Sequence, residues 1–196
     1  MKTVEINLYQ FAELSEKAKQ RAINDWRQTS NEAGDYLYFF NDDCIEHLKE
    51  LGFTNPTVQY SLSYSQGDGL SFSAEGYNNL TDLFIEVLGA HHAKMAEFLA
   101  SNCTLEIKGN TGRYTYASRS DIDLYTDLTS ALVVETTNVD NAIEAVQSKL
   151  TDIYMTACKE MEDRGYKELE NEQSDEYISE TLISNEYDFT EDGKRY

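Results

Sequence analysis

Proline is almost missing from this chain: Pro56 is the only one in 196 residues. No Pro- or Ser-rich stretch divides the sequence, which predicts a single domain over residues 1–196. Cysteine is scarce as well. Cys44, Cys103 and Cys158 are odd in number, far apart and never in a Cys-x-x-Cys pair. That argues against a disulfide framework and fits a reducing cytosol. No run approaches the ~20 apolar residues of a membrane-spanning helix. The start, Met1-Lys2-Thr3-Val4-Glu5, has no signal-peptide character. The expected location is the cytoplasm.

Positive charge is the next shortage. Against 36 acidic side chains stand only 16 Lys and Arg, a net charge of −20. Phosphate binding depends on Lys and Arg neutralising charge, so direct nucleic-acid binding is excluded. An anionic membrane surface is disfavoured for the same reason. A basic protein surface, by contrast, would be attracted and steered in quickly.

Catalytic signatures are also lacking. No Gly-x-x-x-x-Gly-Lys phosphate loop occurs, and Asp68 lacks the regular series of oxygen donors of a calcium loop. No Ser/His/Asp or Cys/His set stands out by spacing. His91 and His92 are adjacent, and neighbouring helical residues point ~100° apart, so one helix cannot easily aim both at one ion. No metal, cofactor or catalytic residue is expected.

What is present starts with a hairpin. Val58, Tyr60, Leu62 and Tyr64 alternate with polar residues, and Leu70, Phe72 and Ala74 resume the pattern. Between them Ser65-Gln66-Gly67-Asp68-Gly69 supplies two glycines for the positive φ of a tight reversal. Its tip, Gln66 and Asp68, is a candidate partner contact, since polar turns on rigid hairpins make such sites.

Around it the periodicity predicts an opening strand over Thr3–Tyr9 and a helix to about Gln28, with Ser15 as N-cap. Further helices are expected from about Tyr36 to Leu51, with Gly52 after its end, and from Asn78 or Asn79 to about Ser101. Leu105 and Ile107, Tyr114 and Tyr116, Ile122 and Leu124, then Ala131–Val134 read as strands. A long helix follows from Val139 to near Gly165. Tyr177, Ile178 and Leu182 mark a short one, and Tyr187 and Phe189 a last extended segment. The expected architecture is α+β, an antiparallel sheet of about five or six strands packed with four or five helices.

Residues 160–196 hold 13 acidic and 4 basic side chains, a balance of 4 − 13 = −9. Glu160, Glu162, Asp163, Glu168, Glu170, Glu172, Asp175, Glu176 and Glu180 are the candidate partner-binding residues of this acidic helical segment. Glu106-x-Lys108 on a strand gives an alternative. A metal-dependent nuclease or hydrolase places a Glu for Mg²⁺ and a Lys for water on one strand face, with Asp121 and Asp123 as further acids.

Three patches carry a resemblance: Phe11-Ala12-Glu13-Leu14-Ser15 with Trp26, the Ser65–Gly69 turn, and Asn185-Glu186-Tyr187-Asp188-Phe189-Thr190-Glu191-Asp192-Gly193. With these the chain resembles a family of uncharacterised bacteriophage and prophage proteins, sometimes labelled antitoxin-like. The resemblance implies a phage or mobile-element origin and a bacterial host cytoplasm; it transfers no active site. Charge and resemblance together lead to one expectation. The chain is a non-enzymatic, phage-encoded inhibitor or modulator of a host nucleic-acid-binding or defence protein, such as a CRISPR effector or nuclease. Acidic surface would imitate nucleic acid in that contact. An antitoxin-like protein neutralising a basic toxin is a further alternative with the same binding physics.

Overall fold

A computed structural model describes residues 6–30, 37, 39–110, 114–126 and 136–196. The chain resolves into two compact units, one formed by residues 1–38 with 166–196, the other by 39–165. Helix and strand are mixed, as an α+β class requires. Among the described residues no helix is long and apolar enough to cross a membrane.

The smaller unit joins the two ends of the sequence. Strand β1 (Tyr9–Gln10) pairs antiparallel with β8 (Asp188–Phe189), setting Tyr9 opposite Phe189. A 3-10 turn at Phe11–Glu13 leads into α1 (Glu16–Ser30). Ser15 is its cap, as its position predicts: the Ala18 N–H donates to Ser15 Oγ at 3.3 Å. Helix α6 (Asp175–Ser184) is capped likewise by Ser174, which accepts from the Tyr177 N–H. Phe11, Leu14, Ala18, Ala22 and Ile23 pack on Ile178, Leu182 and Phe189 as one apolar core. Arg27 ties α6 to α1, its guanidinium donating to the Gln173 carbonyl at 2.8 and 3.0 Å and to Asp175 at 2.6 Å.

The larger unit is built on α2 (Phe40–Glu50), α3 (Leu80–Leu88), α4 (Ala93–Asn102) and the part of α5 (Thr136–Glu172) that runs through Gly165. Its strands pair two by two. Strand β2 (Phe53–Thr54) pairs with β5 (Gly76–Tyr77), β3 (Thr57–Ser61) with β4 (Gly69–Ser73), and β6 (Cys103–Lys108) with β7 (Asp121–Thr126). The expected sheet of five or six strands is therefore replaced by short antiparallel pairs.

The physical reason lies at Phe72. On β4 the groups facing away from β3 would have to continue the ladder into β6. Among the described residues the ladder is met only just past β4, where the Ala74 N–H donates to the Ile107 carbonyl at 3.1 Å. At Phe72 the buried hydroxyl of Tyr154, from α5, takes the place of a strand: it accepts from the Phe72 N–H and donates to the Phe72 carbonyl, both at 2.9 Å. Phe72 also stacks on the Tyr154 ring at 4.3 Å and meets Phe53 edge-on at 4.8 Å.

Other expectations are corrected too. The single helix expected up to Ser101 breaks at Gly89 (φ +91°), where a 3-10 turn at Ala90–His92 separates α3 from α4. Tyr114 and Tyr116 lie in irregular chain before a 3-10 turn at Ala117–Arg119, not on a strand. The fourth helix does not stop near Gly165 but continues to Glu172. Gly165 is there for packing: a Cβ would meet Phe40 Cζ at 2.8 Å and collide with Leu62 Cδ1. Residues 6–8 of the expected opening strand are not in a strand. Its residues 3–5, the start of the second helix at Tyr36 and the strand at Ala131–Val134 lie outside the described residues.

Candidate functional site

The loop between β3 and β4 is longer and more tightly organised than a two-glycine reversal. It spans residues 62–68, and Asp68 holds it together. Asp68 Oδ2 accepts from the Ser63 and Ser65 N–H groups at 2.7 and 2.9 Å. Oδ1 accepts from the hydroxyls of Ser61, Ser63 and Ser65 at 3.0, 3.0 and 2.9 Å. A carboxylate with this many donors acts as the loop's internal hub. The sequence signal for it is the spacing of Ser61, Ser63 and Ser65, the first two on the polar side of the alternating segment and the third opening the turn.

The glycines serve close approach more than φ. Gly67 is not in the left-handed region, and Gly69 at φ +158° is at the margin of extended backbone. The left-handed residue of the loop is Tyr64, at φ +56°, whose side chain is largely exposed. A Cβ at Gly69 would meet the Thr115 carbonyl oxygen at 2.9 Å, and one at Gly67 the Tyr114 ring at 2.5 Å. The Thr115 hydroxyl donates to the Gly69 carbonyl at 3.0 Å, and its N–H to the Gly67 carbonyl at 3.2 Å. Tyr114 and Tyr116 stack nearly parallel at 5.7 Å, with the Arg119 guanidinium 5.3 and 5.5 Å from the two rings. Gln66 stays exposed at the tip, in the loop that Tyr114, Tyr116 and Arg119 pack against, and Tyr and Arg are enriched in protein contacts.

Asp68→Ala should loosen this loop. Five donors lose their acceptor, and the expected cost is about 1–3 kcal/mol, since part of the set is open to water. Urea denaturation gives the stability, and limited proteolysis should show new cleavage within 62–68. Unchanged cleavage and stability would remove Asp68 from the structural role.

The nine acidic candidates fall on both units. In the larger unit, Glu160 Oε2 is 4.0 Å from His47 Nε2, and Asp163 accepts from Lys159 at 2.6 Å. Glu162 is half-buried, while Glu160 and Asp163 are exposed. In the smaller unit, Glu170, Glu176 and Glu180 are exposed and Glu168 is half-buried. Asp175 is bound by Arg27 and also receives Gln20, and the hydrogen bond from Arg27 is the first cause holding its carboxyl below the usual range.

Glu172 stands apart. Its Oε2 is buried with no hydrogen-bond partner among the described residues, although the residue as a whole is only half-buried. Burial, and then the neighbouring Glu168, push its carboxyl up from the ordinary value. The folded state thus holds this proton more tightly than the unfolded chain. Its ionisation lowers stability as pH rises from the ordinary glutamate range through the raised folded value. Glu172→Gln should therefore stabilise the protein at neutral pH and not at pH 4. Denaturant midpoints at the two pH values check this; an equal difference at both would sink it.

Glu106 and Lys108 share the exposed face of β6, opposite Asp123 and Asp121 of β7 in register. Lys108 Nζ donates to Glu106 Oε2 at 2.5 Å, and this bond is the main cause lowering the Glu106 carboxyl. Ile107, Ile122 and Leu124 face the core. No group of three or more His, Cys, Asp or Glu side chains among the described residues is placed to hold a metal ion. His91 and His92 are exposed, their rings 5.1 Å apart.

The smaller unit also holds a cleft of about 280 Å³ beside Trp26. Its deep residues, Ala22, Leu182 and Phe189, are buried and apolar, while Lys194 and Arg195 stand at its exposed side. The residues come from both ends of the chain, so no local pattern announces them. No protein-family model, curated protein or solved structure matches the chain.

Proposed function

We propose that the chain is a phage-encoded, non-enzymatic inhibitor or modulator that binds a host protein through carboxylates standing in for nucleic-acid phosphates. The observation carrying this reading is the net charge of −20 together with exposed carboxylates on α5 and α6. Glu160 and Asp163 supply them in one unit; Glu170, Glu176 and Glu180 supply them in the other. The partner is a host protein with a basic channel, a defence nuclease or CRISPR effector being the class that fits. An antitoxin-like role against a basic toxin uses the same physics with a different partner.

Carboxylates already committed to a neighbour contribute less than free ones. Asp175 with Arg27, and Glu172 in its half-buried position, belong to the fold as much as to any contact. Among the described residues Glu170, Glu176 and Glu180 have no ion pair and Glu160 has only the 4.0 Å approach of His47, with Glu162 and Glu168 on the same helix as Glu160 and Glu170.

A single rim charge is worth only ~0–1 kcal/mol, so the test reverses several at once. A pull-down from bacterial lysate at low salt supplies the partner. Lysine at positions 160, 170, 176 and 180 together should weaken its binding by about 10-fold or more, mostly through slower association. The difference should shrink as the Debye length falls from ~10 Å at 0.1 M salt to ~3 Å at 1 M. Equal affinity and equal salt dependence for the two proteins would leave the carboxylates merely solvated, and the tip at Gln66 would become the better contact.

A further inference from the structure

We propose that the cleft beside Trp26 is a binding site for a small aromatic or branched aliphatic carboxylic acid carrying one negative charge. The cleft lies wholly within the smaller unit and stands independently of any protein partner. At about 280 Å³ it is near the lower end of ligand pockets, ~300–1,000 Å³, which limits the occupant to a single ring or short branched chain. Ala22, Leu182 and Phe189, all at most 3% exposed, give it an apolar floor, and the Trp26 ring a wall.

The charge of the occupant follows from the cations. Arg195 lies over two rings, its guanidinium carbon 5.5 Å from the Trp26 centroid and 5.1 Å from that of Tyr187. Those rings are themselves 5.6 Å apart, so the guanidinium has two cation–π contacts on the same side of the cleft. Among the described residues neither the Arg195 guanidinium nor the Lys194 ammonium has an ion pair or hydrogen bond, although the Lys194 backbone bonds Thr190 Oγ1.

The nearby acids do not compensate them. Asp25 lines the cleft but lies 3.7 Å from Arg21 Nε, and Asp192 accepts from Arg21 Nη1. One cation thus serves two carboxylates, and two cations are left at the mouth. A guanidinium fork biased toward the cleft by two rings matches the two oxygens of a carboxylate. A polyphosphate or nucleic acid is the wrong ligand here, because a net charge of −20 repels a multiply charged anion at long range.

Trp26 is the chain's only tryptophan, so its emission reports directly on the cleft. Phenylacetate, titrated into the intact protein with excitation selective for tryptophan, should give a saturable change in Trp26 emission. Phenylacetamide, identical in shape but uncharged, should bind at least about 10-fold more weakly, as the loss of a charge-assisted pair implies. Arg195→Gln should abolish the phenylacetate response while far-ultraviolet circular dichroism stays unchanged. Should Arg195→Gln disturb the fold, the comparison of acid and amide on the unaltered protein still decides. No saturable response up to about 10 mM phenylacetate, equal binding of the amide, or an undiminished response in a folded Arg195→Gln variant would each overturn the proposal.

Discussion

Tyr154→Ala should be the most damaging single substitution in the larger unit, costing about 3–5 kcal/mol. The side chain is fully buried, stacks on Phe72 at 4.3 Å, and reaches the end of a strand ladder with its hydroxyl. Truncation removes the ring and leaves the Phe72 N–H and carbonyl without their partner. Tyr154→Phe separates the two contributions. It keeps the ring and deletes only the hydroxyl, which is also in hydrogen-bond contact with the Ser120 hydroxyl at 2.7 Å. The expected cost is about 1–3 kcal/mol, the range for stranding buried backbone groups. Burial is the first cause of the Tyr154 hydroxyl's raised pKa, so it stays protonated and able to donate throughout the neutral range. Chemical denaturation followed by circular dichroism measures both variants. A Phe variant as stable as the parent would mean that the hydroxyl is not what ends the ladder.

That hydroxyl also explains why the sheet was misjudged from the sequence. Alternation locates β3, β4 and β6, because period 2 is a local property of the chain, but it runs past their ends: Leu62 and Tyr64 lie in the loop and Ala74 just beyond β4. It does not say whether neighbouring strands join. Joining depends on which groups reach the free edge of β4, and there a tyrosine 82 residues away in sequence replaces β6. Helix limits were legible where a cap or terminal glycine decides them: Ser15 before α1, and Gly52 (φ +101°) after α2. They were misjudged where glycine played the opposite role. Gly89 ends α3 inside what reads as one apolar stripe, whereas Gly165 sits within α5 because Leu62 and Phe40 leave no room for a Cβ.

The site was legible to different depths. Charge is a sum over the chain, so the −20 and the acidic segment need no structure to be seen. Which carboxylates are free does need it. Arg27 and Asp175 are far apart in sequence, as are Arg21 and Asp192, yet each pair meets in the smaller unit. The hairpin tip shows the same limit in reverse. Asp68 reads as a polar group available to a partner, but five donors turn it inward, leaving Gln66 and the Tyr114–Tyr116–Arg119 stack as the outward chemistry.

In the smaller unit the largest effect is expected at Gly193. It follows Asp192 in a turn closed by the Gly193 N–H donating to the Thr190 carbonyl at 2.8 Å. Its φ of +86° lies in the left-handed region, where a side chain costs about 1–2 kcal/mol. Space is the second constraint. A Cβ would collide with the Ala18 carbonyl oxygen of α1 and approach its carbonyl carbon to 2.8 Å, and backbone cannot rotate aside as a side chain can. Gly193→Ala should therefore destabilise the unit by about 2–4 kcal/mol, the two penalties together. Gly67→Ala is the informative contrast, because its added carbon meets only the Tyr114 ring, which can move. Trp26 packs in the same core as Phe189 and Tyr187, so its emission during urea unfolding follows this unit. A Gly193→Ala protein that unfolds at the parent's urea concentration would show that the turn does not hold the C-terminal segment against α1.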